Sequence, residues 1–478
     1  MLNARRAVFA ALLAVLAAPG LRASPKRPNV LIVIADDCTC ADLPDYGGTN
    51  IRTPAISRLA REGPLFERAY ASTAMCQPCR AELYTDLFPL RNGCAWNRAP
   101  SRPGVRSLPH HPGVLGYRVG LAGKVHVAPR SVFPFEEVAG WESNCTREPT
   151  RPHDLGHAQA FMTRDAPQPF CLVVALVVPH VPWVMGGAST LRPAQRRLPP
   201  TLADTPTTRE DYARYLVEIA YMDAQAGALL DLLDEAGLAA STLTIFISEQ
   251  GSQFPGHMRT CREAGARTAS IVRWPDRVPA GRRTRALVQY VDVLPTLVEL
   301  AGGDPEAARP PLDGRSFAAV LRGERDAHRN FAYGLHHNVP EGPPYPIPTV
   351  TDGEWRYVRN LTPERLSIEK HTMGLLGGSA PHNAYWPSWM AHSRNRPEVL
   401  HLVERHMRRP AEELYHVAGD PWSLDDRAGD PCCAAIHARL AAELDRWMAT
   451  QRDPGAAMDR LEVLQEVRRA GRDPEHRR

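Results

Sequence analysis

Five short groups of residues in this 478-residue chain combine side chains able to do chemistry together. Asp36-Asp37 closes an apolar run, and Glu249-Gln250 closes another. Adjacent carboxylates repel each other unless a cation lies between them, and oxygen ligands suit Ca²⁺ or Mg²⁺. Lys124-Val125-His126 offers a point charge for an anion and a group that moves protons near neutral pH. His180, in Pro179-His180-Val181-Pro182, offers a second proton carrier. Cys76-Gln77-Pro78-Cys79-Arg80 places a guanidinium four residues after a thiol. Singly, each group has an ordinary structural reading: a solvated turn, a surface Lys-His pair, a histidine capping a strand end. Cys38-Thr39-Cys40 with Cys76 and Cys79 also has the makings of a four-thiolate zinc site.

The elements around these groups indicate how they are positioned. Residues 29–35, 170–178 and 242–248 are continuous apolar runs rich in β-branched side chains, as in parallel strands buried on both faces. Asp36-Asp37, His180 and Glu249-Gln250 each follow such a run, at the carboxyl ends where open α/β sheets bind ligands. Thr53 to Gly63 reads as a helix capped by Thr53, with Pro54 in its first turn and Gly63 as its stop. Residues 208–237 carry a helical apolar stripe through Tyr215, Ile219, Met222, Leu229 and Leu233, with Thr208 and Asp211 as a capping pair. Residues 286–297 read as a further helix ending at Gly302-Gly303. From about residue 325 the strands shorten and alternate, as at 355–361 and 413–417, before a closing helix at 433–450. Segment 365–400, rich in Gly, His and Trp, and the pair His336-His337 read as surface loops near a rim. The charged tail after 453 reads as frayed.

Composition sets the outer bounds. Hydrophobic content of 44% and charged content of 23% are those of a globular protein. A net charge of +4 gives no case for nucleic acid. Arg5 and Arg6, the apolar run 7–18 and the small-residue site at 21–23 read as a signal peptide over residues 1–24. The expected destination is the periplasm or the extracellular space, with no membrane span. Ten cysteines in an exported chain lead us to expect some disulfides, whose pairing spacing cannot assign.

The order of these segments resembles the type I sulfatases: strand and Asp-Asp, then "TPAISRLAREG", then "FERAYASTAMCQPCR". The Gly-Lys-x-His at Gly123-Lys124-Val125-His126 and the Pro-His-x-Pro at 179–182 continue the likeness. Thr85-Asp86 departs from the family's usual Thr-Gly, and Glu249-Gln250 from its usual Asp-Asn or Asp-His. Segment 248–275, with "EQGSQFP", Arg259-Thr260 and "ARTASIVRWP", is closest to the heparan N-sulfatase branch. The resemblance implies an α/β, alkaline-phosphatase-like fold. A large, mostly parallel sheet flanked by helices would occupy a catalytic domain at 25–325, and a smaller antiparallel subdomain with a closing helix residues 326–478. It implies hydrolysis of a sulfate ester or sulfamate on a sulfated glycan, with N-sulfoglucosamine of heparan favoured. A formylglycine-generating enzyme would oxidise Cys76 to the aldehyde whose hydrate attacks sulfur. Asp36, Asp37, Glu249 and Gln250 would hold Ca²⁺ with that residue. Arg80 would orient the hydrate, Lys124 and Arg259 bind the sulfuryl group, His180 assist the leaving atom and His126 help expel sulfate. A phosphonate or phosphate monoester hydrolase on the same fold, and a catalytically silent glycan-binding homologue, are the alternatives.

Overall fold

The structure, a computed structural model, describes residues 27–111, 115–143, 153–165, 167–186, 191–307, 311–374 and 384–470. The signal-peptide segment, Cys145 and the centre of the 365–400 segment lie outside these residues.

An eight-stranded sheet has the order β4-β3-β5-β1-β6-β7-β2-β8. Its strands are β1 Asn29–Ala35, β2 Leu65–Tyr70, β3 Arg118–Gly123, β4 Glu136–Val138, β5 Phe170–Ala175, β6 Thr242–Ser248, β7 Arg267–Arg273 and β8 Arg283–Gln289. Strand β1 pairs in parallel with β5 and β6, and β3 with β4 and β5; only β7 runs antiparallel to its neighbours. The apolar runs are explained by the two faces. Leu31, Val33, Leu172 and Val174 enter one core, against the long helix Pro206–Glu235 and helix Pro54–Glu62. Val30, Ile32, Cys171 and Val173 enter the other, against helices Cys76–Thr85 and Val293–Leu300. Period-two alternation is invisible in the sequence because both faces are apolar.

A second sheet, β12-β11-β10-β9, is antiparallel: β9 Ala332–His336, β10 Ile347–Thr351, β11 Trp355–Arg359 and β12 Glu412–His416. Helix Ala434–Gln451 closes it. Trp447 stacks on Tyr333 and meets Phe88 edge-on, so the closing helix also packs on the larger unit.

Several expectations need correction. The long helix starts at Pro206, not 208; the cap is Thr205, whose side chain accepts from Thr208 N. Thr53 precedes its helix, but the side chain of Asp223 on the long helix takes the free N–H groups of Ala55 and Ile56. The first third of the expected 286–297 helix belongs to β8, since its apolar residues are needed beside β2, and the α-helix begins at Val293. His336 and His337 are buried rather than on a surface loop. The tail forms a helix, Leu461–Ala470, anchored by fully buried Leu464. Among the described residues every cysteine is a free thiol; Cys94 and Cys171 serve as small core hydrophobes.

Candidate active site

Four adjacent strands of the large sheet, in the order β3-β5-β1-β6, end on the same edge because they are parallel. Their ends carry Lys124, His180, Asp36-Asp37 and Glu249-Gln250. Backbone bonds carry the ladder past the strands: Asp36 N donates to Val178 O, Glu249 N to Ala35 O and Lys124 N to Ala175 O. That last contact explains Gly123, whose φ is +83° and whose added Cβ would lie 2.1 Å from Ala175 O.

Cys76 is the first residue of its helix, and all ten residues of that helix are buried. Its Sγ lies 3.6 Å from Asp37 Oδ1 and 3.5 Å from Gln250 Nε2. Arg80, one turn on, has no exposed side-chain surface. It donates through Nε to Glu249 Oε1 at 2.6 Å, through Nη2 to Asp36 Oδ1 at 3.4 Å, and through Nη1 to Lys124 O at 2.9 Å. The guanidinium thus ties three strand ends together, a task for a planar fork. Lys124 Nζ donates to Asp36 Oδ2 at 2.5 Å. His180 Nε2 lies 3.5 Å from Asp37 Oδ2, while its Nδ1 contacts Val181 O. His126 is half-buried beside them, its Nδ1 without a hydrogen-bond partner.

Asp37, His126 and Arg259 all have φ between +39° and +63°, a conformation that non-glycine residues hold only under tertiary constraint. Arg259 N donates to Ala74 O, just before Cys76, and its Nη1 donates to Glu369 Oε1 at 2.9 Å.

The electrostatics show a shortage of positive charge. Burial pushes Asp37 up to about 8, reinforced by Cys76. Burial, then the Asp36 charge, outweighs Arg80 and holds Glu249 well above the carboxylate range. For Asp36 burial also acts upward, but Lys124 leads the groups that bring it far below the usual range. Cys76 is raised by burial yet drawn down to about 6 overall, chiefly by Lys124. Burial, with Lys124 and Arg80, holds His126 well below its ordinary value.

The ligand atoms of Asp36, Asp37, Cys76 and Glu249 all lie within 4.8 Å of one another. Gln250 Oε1 is buried without a hydrogen-bond partner, as is Asp37 Oδ2 apart from its ion pair with His180. Clustered acids, unused oxygens and raised carboxylates fit a hard divalent cation. The zinc alternative does not assemble: Cys79 Sγ donates to Glu249 O, and neither Cys38 nor Cys40 joins a metal-competent group among the described residues.

The sulfatase family model matches residues 28–303, more than half of the chain. The chain belongs to the sulfatase family. It is a sulfuric ester hydrolase. Similar proteins include an ulvan-active sulfatase of Formosa agariphila, 29% identical and covering 90% of this chain and 81% of the relative. The human N-sulphoglucosamine sulphohydrolase is 28% identical, covering 91% and 92%. Two solved structures share the fold at 19% identity and a TM-score of 0.66 each. One is a protein in complex with its substrate D-glucosamine-2-N,6-O-disulfate, covering 90% of this chain and 99% of that one. The other is a phosphonate monoester hydrolase of Agrobacterium radiobacter, covering 89% and 96%.

This sulfatase's site also recruits residues that sequence reasoning missed. Glu369 holds Arg259 and accepts from His371 N and Thr372 N. Glu341 pairs with His371 at 2.7 Å and accepts from Asn97 Nδ2 at 3.2 Å. Burial acts to raise Glu341, but His371 leads the groups that bring it to about 2. No spacing rule marks either glutamate; the sole hint, for Glu369 alone, was that segment 365–400 reads as lying near a rim.

Proposed function

We propose that this sulfatase removes sulfuryl groups from a sulfated glycan, with N-sulfoglucosamine the favoured unit, using a formylglycine derived from Cys76 and a bound Ca²⁺. The observation that carries the reading is the convergence of Cys76, Lys124, His180 and three carboxylates, with Arg80 tying Asp36, Glu249 and the Lys124 backbone together. Asp36, Asp37, Glu249 and Gln250 would hold the cation, which supplies positive charge to sulfuryl oxygens when bound. The hydrate of the aldehyde formed from Cys76 would supply the nucleophilic oxygen.

The chain's own residues do the rest. Arg80 fixes the spacing of Asp36 and Glu249 and keeps the floor of the site from relaxing. Lys124, buried and cationic, binds a sulfuryl oxygen and stabilises charge developing there. His180, with Nδ1 turned to Val181 O, presents Nε2 to the leaving oxygen or nitrogen and delivers its proton. His126, held mainly neutral by its surroundings, accepts a proton as sulfate departs. Arg259 contacts the substrate's anionic group, steadied by Glu369. Cys76 is buried in the finished fold, so the maturation enzyme would reach it before folding is complete. No described helix is long and apolar enough to cross a membrane.

Mass spectrometry of the tryptic peptide 69–80 from protein made in its native host tests the reading. The expected result is a mass deficit at Cys76 matching conversion of –CH₂SH to –CHO, with release of sulfate from N-sulfated oligosaccharides. An intact thiol, in a host that matures other sulfatases, would sink the formylglycine mechanism and bring the silent homologue forward. Release of phosphonate esters in preference to sulfate would favour the phosphonate hydrolase.

A further inference from the structure

A groove of about 590 Å³ lies outside the catalytic centre, between segments 339–344, 362–370 and 456–462. Its charged lining is Arg365, Lys370, Arg460 and Glu462. None of the site residues discussed above lies in it. Its lining residues Gly342 and Lys370 are chain neighbours of Glu341 and Glu369. Lys370 N donates to Glu341 O at 2.9 Å, joining two backbone segments. On one side of them Glu369 and Glu341 reach Arg259 and His371. On the other, Lys370 and Gly342 line the groove.

The groove is also built to keep its shape. Asp459, fully buried, accepts from three backbone N–H groups across it: Asn338 at 2.8 Å, Val339 at 3.0 Å and Tyr345 at 2.7 Å. This carboxylate staples the C-terminal segment to the loop bearing Glu341. The basic groups are only loosely committed. Arg365 lies 3.6 Å from exposed Glu364, and Arg460 donates to Ala457 O. Of the side chains that line the groove three are cationic and one is a carboxylate, while Glu364 beside Arg365 and the backbone-bonded Asp459 offset part of that charge from behind.

We propose that this groove is an anion subsite for a neighbouring acidic sugar of the same glycan chain, bound through its sulfate or carboxylate by Lys370, Arg365 and Arg460. The inference rests on the glycan reading above and deepens it: the substrate is an oligosaccharide bearing a second negative charge, not an isolated sulfated sugar. Arg259 and Lys124 take the sulfuryl group to be cleaved. The groove takes the next charge along and sets the direction in which the chain lies.

The test is calorimetric binding to the Cys76→Ala protein, which cannot turn substrate over. The probes are heparin and ulvan tetrasaccharides and, as control, glucosamine N,6-O-disulfate. In that background Lys370→Ala with Arg460→Ala should lower affinity for the bound tetrasaccharide roughly tenfold at low salt, as expected for two partly exposed charge contacts. It should also flatten the salt dependence and leave the monosaccharide's affinity unchanged. Glu462→Gln, a milder change, should tighten the tetrasaccharide about twofold. Equal losses for both probe sizes, or no loss for either together with no gain from Glu462→Gln, would overturn the subsite while leaving the sulfatase reading intact. If the Cys76→Ala protein binds none of the probes, the glycan reading itself fails and the subsite falls with it.

Discussion

Replacing Arg80 by lysine keeps the charge and removes the fork, which isolates what the geometry contributes. The guanidinium reaches Glu249, Asp36 and the Lys124 carbonyl, on three different strand ends, with no side-chain exposure. A lysine ammonium has three donors on one nitrogen and cannot span those ends, so it keeps one partner and deserts two. Each buried acceptor left without its donor costs about 1–3 kcal/mol, giving about 2–6 kcal/mol for Arg80→Lys. Arg80→Ala leaves Asp36 and Glu249 facing each other and should cost about as much as breaking a buried ion pair, roughly 3–5 kcal/mol, with a cavity added. For 478 residues the unfolding entropy is about 1 kcal/mol per kelvin, so each kcal/mol lowers Tm by about 1 °C. Scanning fluorimetry at fixed, saturating Ca²⁺ should therefore show Arg80→Lys melting about 2–6 °C below the parent, with sulfatase activity reduced because Lys124 and Glu249 lose their common anchor. A lysine variant that melts within about 1 °C of the parent and keeps its kcat would refute the reasoning.

Other outcomes follow from the same geometry. Asp86 sits at a left-handed helix terminus, φ +59°, and burial, then Asp292 and Asp313, raises its carboxyl well above the usual range. The folded state therefore holds that proton more tightly than the unfolded chain, and the destabilisation from ionising it is absent below about pH 4 and grows as pH rises. Asp86→Asn, tolerant of the left-handed conformation, should raise Tm at pH 7–8 and match the parent near pH 4; a pH-independent difference would rule this out. Chelation should lower Tm, since a cation at 100 times its Kd stabilises the folded state by about 2.7 kcal/mol; a melting curve indifferent to EDTA and to added Ca²⁺ would argue against the cation site. His180→Asn should lower kcat by about 10²–10⁴ with KM little changed, because its ring lies 3.5 Å from Asp37 beside Cys76 and is read as the proton donor to the leaving atom; a loss confined to KM would move His180 from proton transfer to binding.

How much of this was legible beforehand depends on the range of each interaction. The strands β1, β5 and β6 announced themselves, because a strand buried on both faces must be a continuous apolar run. Asp36-Asp37, His180 and Glu249-Gln250 could be placed from their position just after such runs, and Cys76 with Arg80 from one helical turn of spacing. Interactions between distant segments left no local trace. The capping of helix Pro54–Glu62 by Asp223, 167 residues on from Ile56, is one case. The division of 286–297 into strand and helix is another, since the pairing of β8 with β2 overrode a helix-like pattern. The buried His336-His337 and the ordered C-terminal helix were misread because nothing nearby in sequence shows what covers them.

The sequence by itself determined the chemistry available: the residue types, their order, and the strand ends that carry them. Tertiary structure decided how that chemistry is balanced. Only the parallel stacking of β3, β5, β1 and β6 puts one lysine and one arginine among three carboxylates and a thiol, out of water. Charges buried together set one another's protonation through a low-dielectric interior, and that depends on distance in space rather than along the chain. The same reason hid Glu369, which reaches Arg259 only once the antiparallel sheet has folded against the larger one, and Glu341, which meets His371 only when their two segments come together in space.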